Sequence, residues 1–299
     1  MNNPEMVNYS IYIVYFLVLA LGLSIGSFLN VVIYRLPRPD VAISKPKRSF
    51  CPNCNSAIAW YDNIPVLSWL ALGGRCRFCK KPINVRYPLV ELASGILAIL
   101  LFHMFGLSLT FLFHFYFAMC LLAIALIDLE LMVIPVKELV YPTAVLGLLN
   151  AFIDPSYGFS LAGPWLWVKV EPLLGIRGAS LAGSLAGLAL GWLSLAAVSM
   201  AYKMARGHEG MGDGDPPLLA MIGAFLGWRA IPMIILWSTL IGVITVGIMM
   251  AVSKKDKQES SEEGWMMKAL PFGPFLVLAA FLYLFFGEKF LNWYWSLMM

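Results

Sequence analysis

Charged side chains are scarce in this sequence. Only 13% of its 299 residues are Asp, Glu, Lys or Arg, whereas 60% are hydrophobic, and the mean hydropathy is +0.79. A chain of this length with so little charge is too apolar to fold as a soluble domain. We therefore predict an all-α polytopic membrane protein.

Three further features are missing. No Lys or Arg precedes the first apolar run, residues 11–33, so a cleaved signal peptide is not indicated and we predict an uncleaved helix with its N-terminus outside. No Gly-x-Gly-x-x-Gly fingerprint of dinucleotide binding is present. No Gly-Lys-Ser/Thr follows the glycine-rich loop at residues 207–215, whose carboxylates would repel phosphate, so a phosphate loop is a weak alternative.

The apolar runs predict about eight transmembrane helices if the shorter ones tilt or lie among their neighbours. They cover residues 11–33, 89–105, 107–127, 139–152, 179–202, 218–226, 231–252 and 266–286. Between the first two lies the one polar stretch long enough to fold in water. We thus divide the chain into a first helix (1–33), a small cytoplasmic domain (34–87) and a seven-helix membrane domain (88–299).

Basic residues indicate the orientation. Ten of the 21 Lys and Arg lie between Arg35 and Arg86, against the two acids Asp40 and Asp62, which places that segment in the cytoplasm. Such a segment is attracted by the anionic leaflet, which is a simpler interpretation than nucleic-acid binding. The alternation of helices then puts both termini outside the cytoplasm.

Four of the five cysteines form two pairs in this polar domain. Cys51-Pro-Asn-Cys54 and Cys76-Arg-Phe-Cys79 are separated by 21 residues, and paired Cys-x-x-Cys motifs are a strong zinc signal. Four thiolates leave no open coordination position, so we expect a structural zinc ion. A redox pair or disulfides are the alternative, disfavoured by a cytoplasmic location.

Two carboxylates are candidates for catalysis. Asp128 closes a long uncharged run, and Asp215 ends the acidic loop Glu209-Gly-Met-Gly-Asp-Gly-Asp215. Both follow helices that run inward, so both should reach the cytoplasmic face. Two carboxylates that share one proton can activate water and protonate a leaving amine, which predicts an aspartyl protease pair. The flanking glycines Gly210, Gly212 and Gly214 would let the loop take unusual backbone angles and let a substrate backbone lie against it.

Other interpretations stay open at this point. Asp215, followed by two prolines, would make a good helix N-cap, and Asp128 would be an interfacial carboxylate at a helix end. Asp213 satisfies the same Gly-x-Gly-Asp pattern, although Asp215 adjoins the helix. A proton-coupled transporter or a membrane-anchored zinc module that recruits partners are rival functions.

Several ordered motifs resemble one family, the bacterial type IV prepilin peptidases, or prepilin leader peptidase/N-methyltransferases. Besides both cysteine pairs and the acidic loop, they comprise Gly26-Ser-Phe-Leu-Asn-Val-Val-Ile-Tyr-Arg-Leu-Pro37, Trp60-Tyr-Asp-Asn-Ile-Pro-Val-Leu-Ser-Trp69, Arg86-Tyr-Pro-Leu-Val-Glu91 and Ile134-Pro135.

The resemblance implies a bifunctional enzyme of the bacterial inner membrane. It would cleave the leaders of prepilins and pseudopilins after a glycine and methylate the new N-terminus with S-adenosylmethionine. Asp128 and Asp215 would be the catalytic pair, in the register preferred above. Arg86 and Glu91 are candidates for the methyl-transfer site, although a structural salt bridge explains them at least as well.

Overall fold

The computed structural model describes residues 4–38, 42, 49–51, 53–154, 158–207, 210–253 and 270–298. Nine α-helices are found in these ranges: α1 (Pro4–Arg35), α2 (Leu67–Ala71), α3 (Arg86–Phe105), α4 (Leu109–Leu131), α5 (Tyr141–Ile153), α6 (Gly158–Arg206), α7 (Asp215–Leu226), α8 (Ala230–Ser253) and α9 (Gly273–Met298). Seven of them include a segment long and apolar enough to cross a membrane, and α7 is a shorter apolar helix. The prediction of a multi-pass helical membrane protein is confirmed.

The described chain forms two compact units, Met1–Ala123 and Ile124–Met299. In the first unit α1 packs along α3, and small residues bring the two backbones together. A Cβ atom on Gly22 would lie 2.6 Å from the Cβ of Ala98, and one on Gly26 would lie 2.7 Å from the Cα of Glu91. This close approach places the start of α3 beside the C-terminal half of α1, which the sequence predicts to lie towards the cytoplasm.

The cysteine module, residues 49–85, follows α1 in the same unit. It contains the 3-10 turn Trp60–Asn63, the short helix α2 and two isolated antiparallel bridges, Phe50 with Ala57 and Arg75 with Pro82. With so little regular structure, the module needs another source of stability, and a bound metal is a common one in small domains.

In the second unit α6 and α7 touch backbone to backbone. A Cβ on Gly191 would lie 2.5 Å from the Leu219 carbonyl oxygen, and Gly187 and Gly223 are packed directly against each other's carbonyls. The Ser184 hydroxyl donates to the Ala224 carbonyl oxygen at 2.5 Å. The glycines spaced by four in α6 therefore allow the close approach that their pattern predicts.

Three helix boundaries differ from the sequence prediction. Helix α6 begins at Gly158, about 20 residues earlier than predicted, and continues through the charged segment around Lys169 because a helix does not need an uninterrupted apolar run. Gly175 within it has a φ of 70°, so the helix is irregular there. Helix α9 runs from Gly273 to Met298, later than the predicted 266–286. Helix α5 is preceded by a π-turn, Val136–Val140.

Candidate active site and metal centre

Asp128 and Asp215 stand at the ends of two helices of the second unit. Helix α4 stops just after Asp128, where Met132 takes a left-handed φ of 54° and its N–H donates to the Asp128 carbonyl oxygen at 2.8 Å. Asp215 is the first residue of α7, followed by two prolines whose missing N–H groups would have no helical partner in the first turn. Each carboxylate is therefore fixed by a helix terminus.

The two carboxylates are buried and act on each other. Each residue is 4% exposed, and a negative charge on Asp128 repels a negative charge on Asp215. One oxygen of each, Oδ2 of Asp128 and Oδ1 of Asp215, lies buried without a hydrogen-bond partner among the described residues. Buried polar atoms are rarely left unpaired without a functional reason, so these two oxygens mark both carboxylates as candidate functional groups.

The interpretation of Asp215 as a simple helix cap does not agree with this geometry. The N-cap residue of α7 is Gly214, not Asp215, and no side-chain cap hydrogen bond is made. The alternative register is also less favourable, since Asp213 is exposed whereas Asp215 is buried.

The start of α9 is a third component that sequence reasoning did not identify. Gly273 is buried against the Asp128 carboxylate: a Cβ added there would lie 2.5 Å from Oδ2 and 3.3 Å from Cγ. The Gly273 backbone interacts with the same carboxylate. The sequence signal that could have identified this residue is a glycine between two prolines, Pro271-Phe-Gly-Pro274, at the start of an apolar run.

The glycines of the acidic loop act by their small size. A Cβ on Gly214 would lie 2.6 Å from the Cβ of Ile134, and Gly210 lies directly against the Tyr202 ring. Gly214 has an ordinary φ of −84°, so the expected unusual backbone angle is wrong for that residue. A Cβ on Gly212 would lie 3.3 Å from Oδ2 of Asp215, so Gly212 stands beside that carboxylate. Glu209 lies outside the described residues.

A groove of about 310 Å³ opens beside the start of α7. Its walls come from α6, the acidic loop and the two prolines of α7. The residues that line it include Trp192, Met200, Lys203, Asp213 and Pro217. It is thus a mixed apolar and charged surface next to the backbone of Asp215.

The four paired cysteines come together in the cysteine module. The Sγ atoms of Cys51, Cys54, Cys76 and Cys79 all lie within 4.8 Å of one another, and all four residues are free thiols. Cys51 Sγ and Cys79 Sγ are 3.9 Å apart. Sulfurs about 2.3 Å from a tetrahedral zinc would stand about 3.8 Å apart, so the arrangement can hold a metal ion.

Both cysteine pairs have the same backbone geometry. The Cys51 N–H donates to the Ser56 oxygen at 3.0 Å, and the Cys76 N–H donates to the Lys81 oxygen at 2.9 Å. The fourth residue after each first cysteine, Asn55 or Lys80, has a positive φ of 55° or 61°. Two matching turns thus present four sulfurs to one point.

Local hydrogen bonds lower the pKa of Cys54 and of Cys76, whereas the pKa of Cys79 is raised to about 11, because the hydrogen bond from the Lys81 backbone is outweighed by burial and the other three cysteines. The Ser56 hydroxyl and then its backbone amide lower the pKa of Cys54 to about 6. Metal ligation requires the deprotonated sulfur, so these hydrogen bonds help to prepare the site. A bidentate ion pair between Arg77 and Asp62, at 2.6 and 2.7 Å, joins the second turn to the 3-10 segment and lowers the pKa of Asp62.

Glu91 and Arg86 lie on the first turns of α3. Glu91 is 9% exposed and its Oε2 accepts the Val66 N–H at 2.7 Å, which ties the cysteine module to α3. Val66 has a φ of 62°, rare for a β-branched residue, so this hydrogen bond holds a strained turn. The Arg86 guanidinium lies over the Tyr87 ring at 5.3 Å.

Comparison with known proteins places this site in a family. A model of the bacterial peptidase A24 N-terminal domain matches residues 20–105, and a model of the type IV leader peptidase family matches residues 115–247. The prepilin leader peptidase/N-methyltransferase of Aeromonas hydrophila is 35% identical over 300 residues, covering 93% of this chain and 92% of that protein. The chain belongs to the type IV leader peptidase family.

Other members of the family are equally similar. The prepilin leader peptidase/N-methyltransferase of Burkholderia pseudomallei is 36% identical over 91% of this chain and 85% of its own length, and that of Pseudomonas aeruginosa is 36% identical over 90% and 89%. No solved structure matches the chain. The family resemblance inferred from the sequence motifs is confirmed, and both family models together span the cysteine module and the two aspartates.

Proposed function

We propose that this chain is a bifunctional membrane enzyme that removes the leader peptide of type IV prepilins and pseudopilins after a glycine and then N-methylates the new N-terminus. The relatives that match it over nine-tenths of its length carry both activities in their names. The observation that carries the peptidase proposal is the burial of Asp128 and Asp215 together, each with an unpaired oxygen.

We assign peptide cleavage to these two carboxylates. At short range in a buried site they cannot both be ionised, so the pair shares one proton. The ionised member takes a proton from water, whose oxygen attacks the carbonyl carbon of the scissile bond. The protonated member supplies the proton that the leaving amine needs.

The acidic loop is proposed to position the substrate. Gly210 and Gly214 allow the loop to pack against Tyr202 and Ile134, whereas the space beside Gly212 holds, among the described residues, only Oδ2 of Asp215, so an extended peptide can approach that carboxylate there. The sequence of the acidic loop carries Glu209 and Asp213, whose negative charge would attract the leader's basic residues, and Asp213 also lines the adjoining groove. Glycine immediately before the cut would fit the same narrow approach.

We propose that the cysteine module holds a structural zinc ion through Cys51, Cys54, Cys76 and Cys79. With four protein ligands the ion has no open position, so its role is to fold residues 34–87. We further propose that this domain and both aspartates face the cytoplasm of a bacterial inner membrane. The basic residues Arg35, Lys203 and Arg206 at helix ends support this orientation, which leaves both termini in the periplasm.

The test is prepilin processing by purified protein, followed by intact mass with and without S-adenosylmethionine. Asp128→Asn and Asp215→Asn should each abolish cleavage, by about a thousandfold or more, because neither remaining carboxyl can perform both proton transfers. Asp213→Asn should keep kcat and raise KM. Wild-type product should gain the mass of one methyl group when the donor is present.

Either aspartate variant cleaving at a normal rate would contradict the two-aspartate mechanism. An inactive Asp213→Asn would move the catalytic register to that residue. Circular dichroism and zinc content of each variant serve as controls for folding.

A further inference from the structure

A cavity of about 400 Å³ lies in the first unit, away from the two aspartates in sequence. It is bounded by the end of α1, the cysteine module and the first turns of α3. Cavities of about 300–1,000 Å³ with mostly apolar walls and a few polar groups are the usual form of small-molecule sites. The residues that argue for a ligand here are Asn30, Arg35, Trp69, Tyr87 and Glu91.

Asn30 is the clearest sign that the cavity takes a ligand. The residue is 4% exposed, and its Nδ2 donates to the Tyr87 carbonyl at 3.1 Å and to the Gly26 carbonyl at 3.3 Å. Its Oδ1 is buried and has no hydrogen-bond partner among the described residues. The amide is thus fixed in orientation with one acceptor unsatisfied, which suits a ligand N–H donor.

Glu91 gives the cavity a buried negative charge. The other carboxylate that lines it, Asp62, is paired with Arg77, whereas the Glu91 side chain accepts the Val66 N–H and the Ser27 hydroxyl. Hydrogen-bond donors without a full positive charge leave a carboxylate able to attract a cation. Glu91 therefore favours a cationic group of the ligand near the start of α3, whereas Arg35 and Lys81 in the same lining suit an anionic group.

We propose that this cavity is the binding site for S-adenosylmethionine, with Glu91 facing the sulfonium ion and Asn30 Oδ1 accepting an N–H of the donor. The proposal rests on the methyltransferase function proposed above. Aromatic walls from Trp69 and Tyr87 offer a face for the adenine ring, and Arg35 offers a cation for the carboxylate of the methionine moiety.

The chemistry required of the site is a displacement at carbon. The lone pair of the neutral N-terminal amine forms a bond to the methyl carbon while the carbon–sulfur bond breaks. The bonding electrons stay on sulfur, which becomes a neutral thioether, and the nitrogen loses one proton. Positive charge thus leaves the sulfur, so a carboxylate beside it should bind the donor more tightly than the neutral product.

The groove of about 310 Å³ described above lacks these features. The groove beside α7 is lined by prolines and by the pair of opposite charges Lys203 and Asp213. None of the unpaired buried amide oxygens lies in it, since Asn30 faces the first cavity and Asn150 belongs to α5. It agrees better with an extended peptide than with a nucleoside.

The experiment measures binding directly, with full-length zinc-loaded protein in nanodiscs, by calorimetry with S-adenosylmethionine and with its neutral product S-adenosylhomocysteine. Asn30→Ala should weaken both ligands by about tenfold. Glu91→Gln, which keeps an acceptor for Val66, should weaken the cationic donor about tenfold and the neutral product much less. Asn150→Ala removes another buried amide with an unpaired oxygen, outside the cavity, and should bind both ligands normally. Prepilin cleavage serves as the control for folding.

The outcomes separate the site from the function. Two results would overturn the assignment of the cavity while the methyltransferase function stands. One is that neither Asn30→Ala nor Glu91→Gln changes the affinity for the donor. The other is that Glu91→Gln weakens the donor and the neutral product equally. A wild-type protein that neither binds the donor nor methylates cleaved prepilin would overturn the proposed function itself.

Discussion

Gly273→Ala gives the sharpest test of how the catalytic pair is held. Real Cβ atoms essentially never come within 3.0 Å of such an atom, and the new one would stand 2.5 Å from Oδ2 of Asp128. The carboxylate or the start of α9 must therefore move by about 0.5 Å or more. Displacements of this size in a catalytic group reduce rates by about 10- to 100-fold, so kcat for prepilin cleavage should fall by that factor while KM changes little.

The backbone itself should tolerate the substitution. Gly273 does not have a left-handed φ, and alanine is a better helix former than glycine. Gly242→Ala is the matched control, because its Cβ would meet the Phe275 ring of the same helix α9 at an ordinary 3.6 Å. As a control for folding, both variants should methylate a synthetic pilin peptide that begins at the cleaved N-terminus at the same rate as the wild-type protein.

The assay is the initial rate of leader removal over a range of prepilin concentrations, together with the melting temperature. Normal kcat in Gly273→Ala would refute the idea that α9 positions Asp128. A loss of cleavage matched by equal losses of methylation and melting temperature would show a folding defect instead.

Other predictions concern the packing and the metal. Gly191→Ala should lower stability by about 1–3 kcal/mol, measured as a lower melting temperature, because its Cβ would lie 2.5 Å from a backbone oxygen of α7. Gly247→Ala meets nothing within 4 Å and should raise stability by about 0.5–1 kcal/mol. Cys51→Ser should lose bound zinc in elemental analysis, whereas Cys120→Ser should retain it; equal zinc in both would contradict the site. Val66→Gly should cost less than about 1 kcal/mol despite the lost side chain, because glycine adopts a φ of 62° without strain, and a larger fall in melting temperature would contradict that strain.

The helices and the metal cluster could be predicted because their signals are local. Long apolar runs of low charge identify the spans, and two Cys-x-x-Cys pairs identify the cluster regardless of how the intervening chain folds. The glycines spaced by four in α6 are a local signal of the same kind, because small residues at that spacing favour a close helix contact. The same locality explains the errors at α6 and α9, whose boundaries depend on neighbours that a hydropathy pattern does not contain.

The candidate site was predictable only in part. Charged residues in an apolar context drew attention to Asp128 and Asp215, but Gly273 carries no functional group and can be recognised only by what it lies against. Ile134 is similar: its side chain packs against Gly214 and lies 3.4 Å from the Cβ position of Gly273. The cavity with Asn30 joins residues from α1 and α3, so no single stretch of sequence reveals it.

The position of Gly273 also bears on when the enzyme becomes active during synthesis. The ribosome makes Asp128 first, Asp215 nearly ninety residues later and Gly273 almost sixty residues after that. A chain that has inserted α4 and α7 but not α9 holds both carboxylates without the backbone that packs against one of them. We expect such nascent chains to be poor proteases, so that peptide cleavage begins only once the last helix has entered the bilayer.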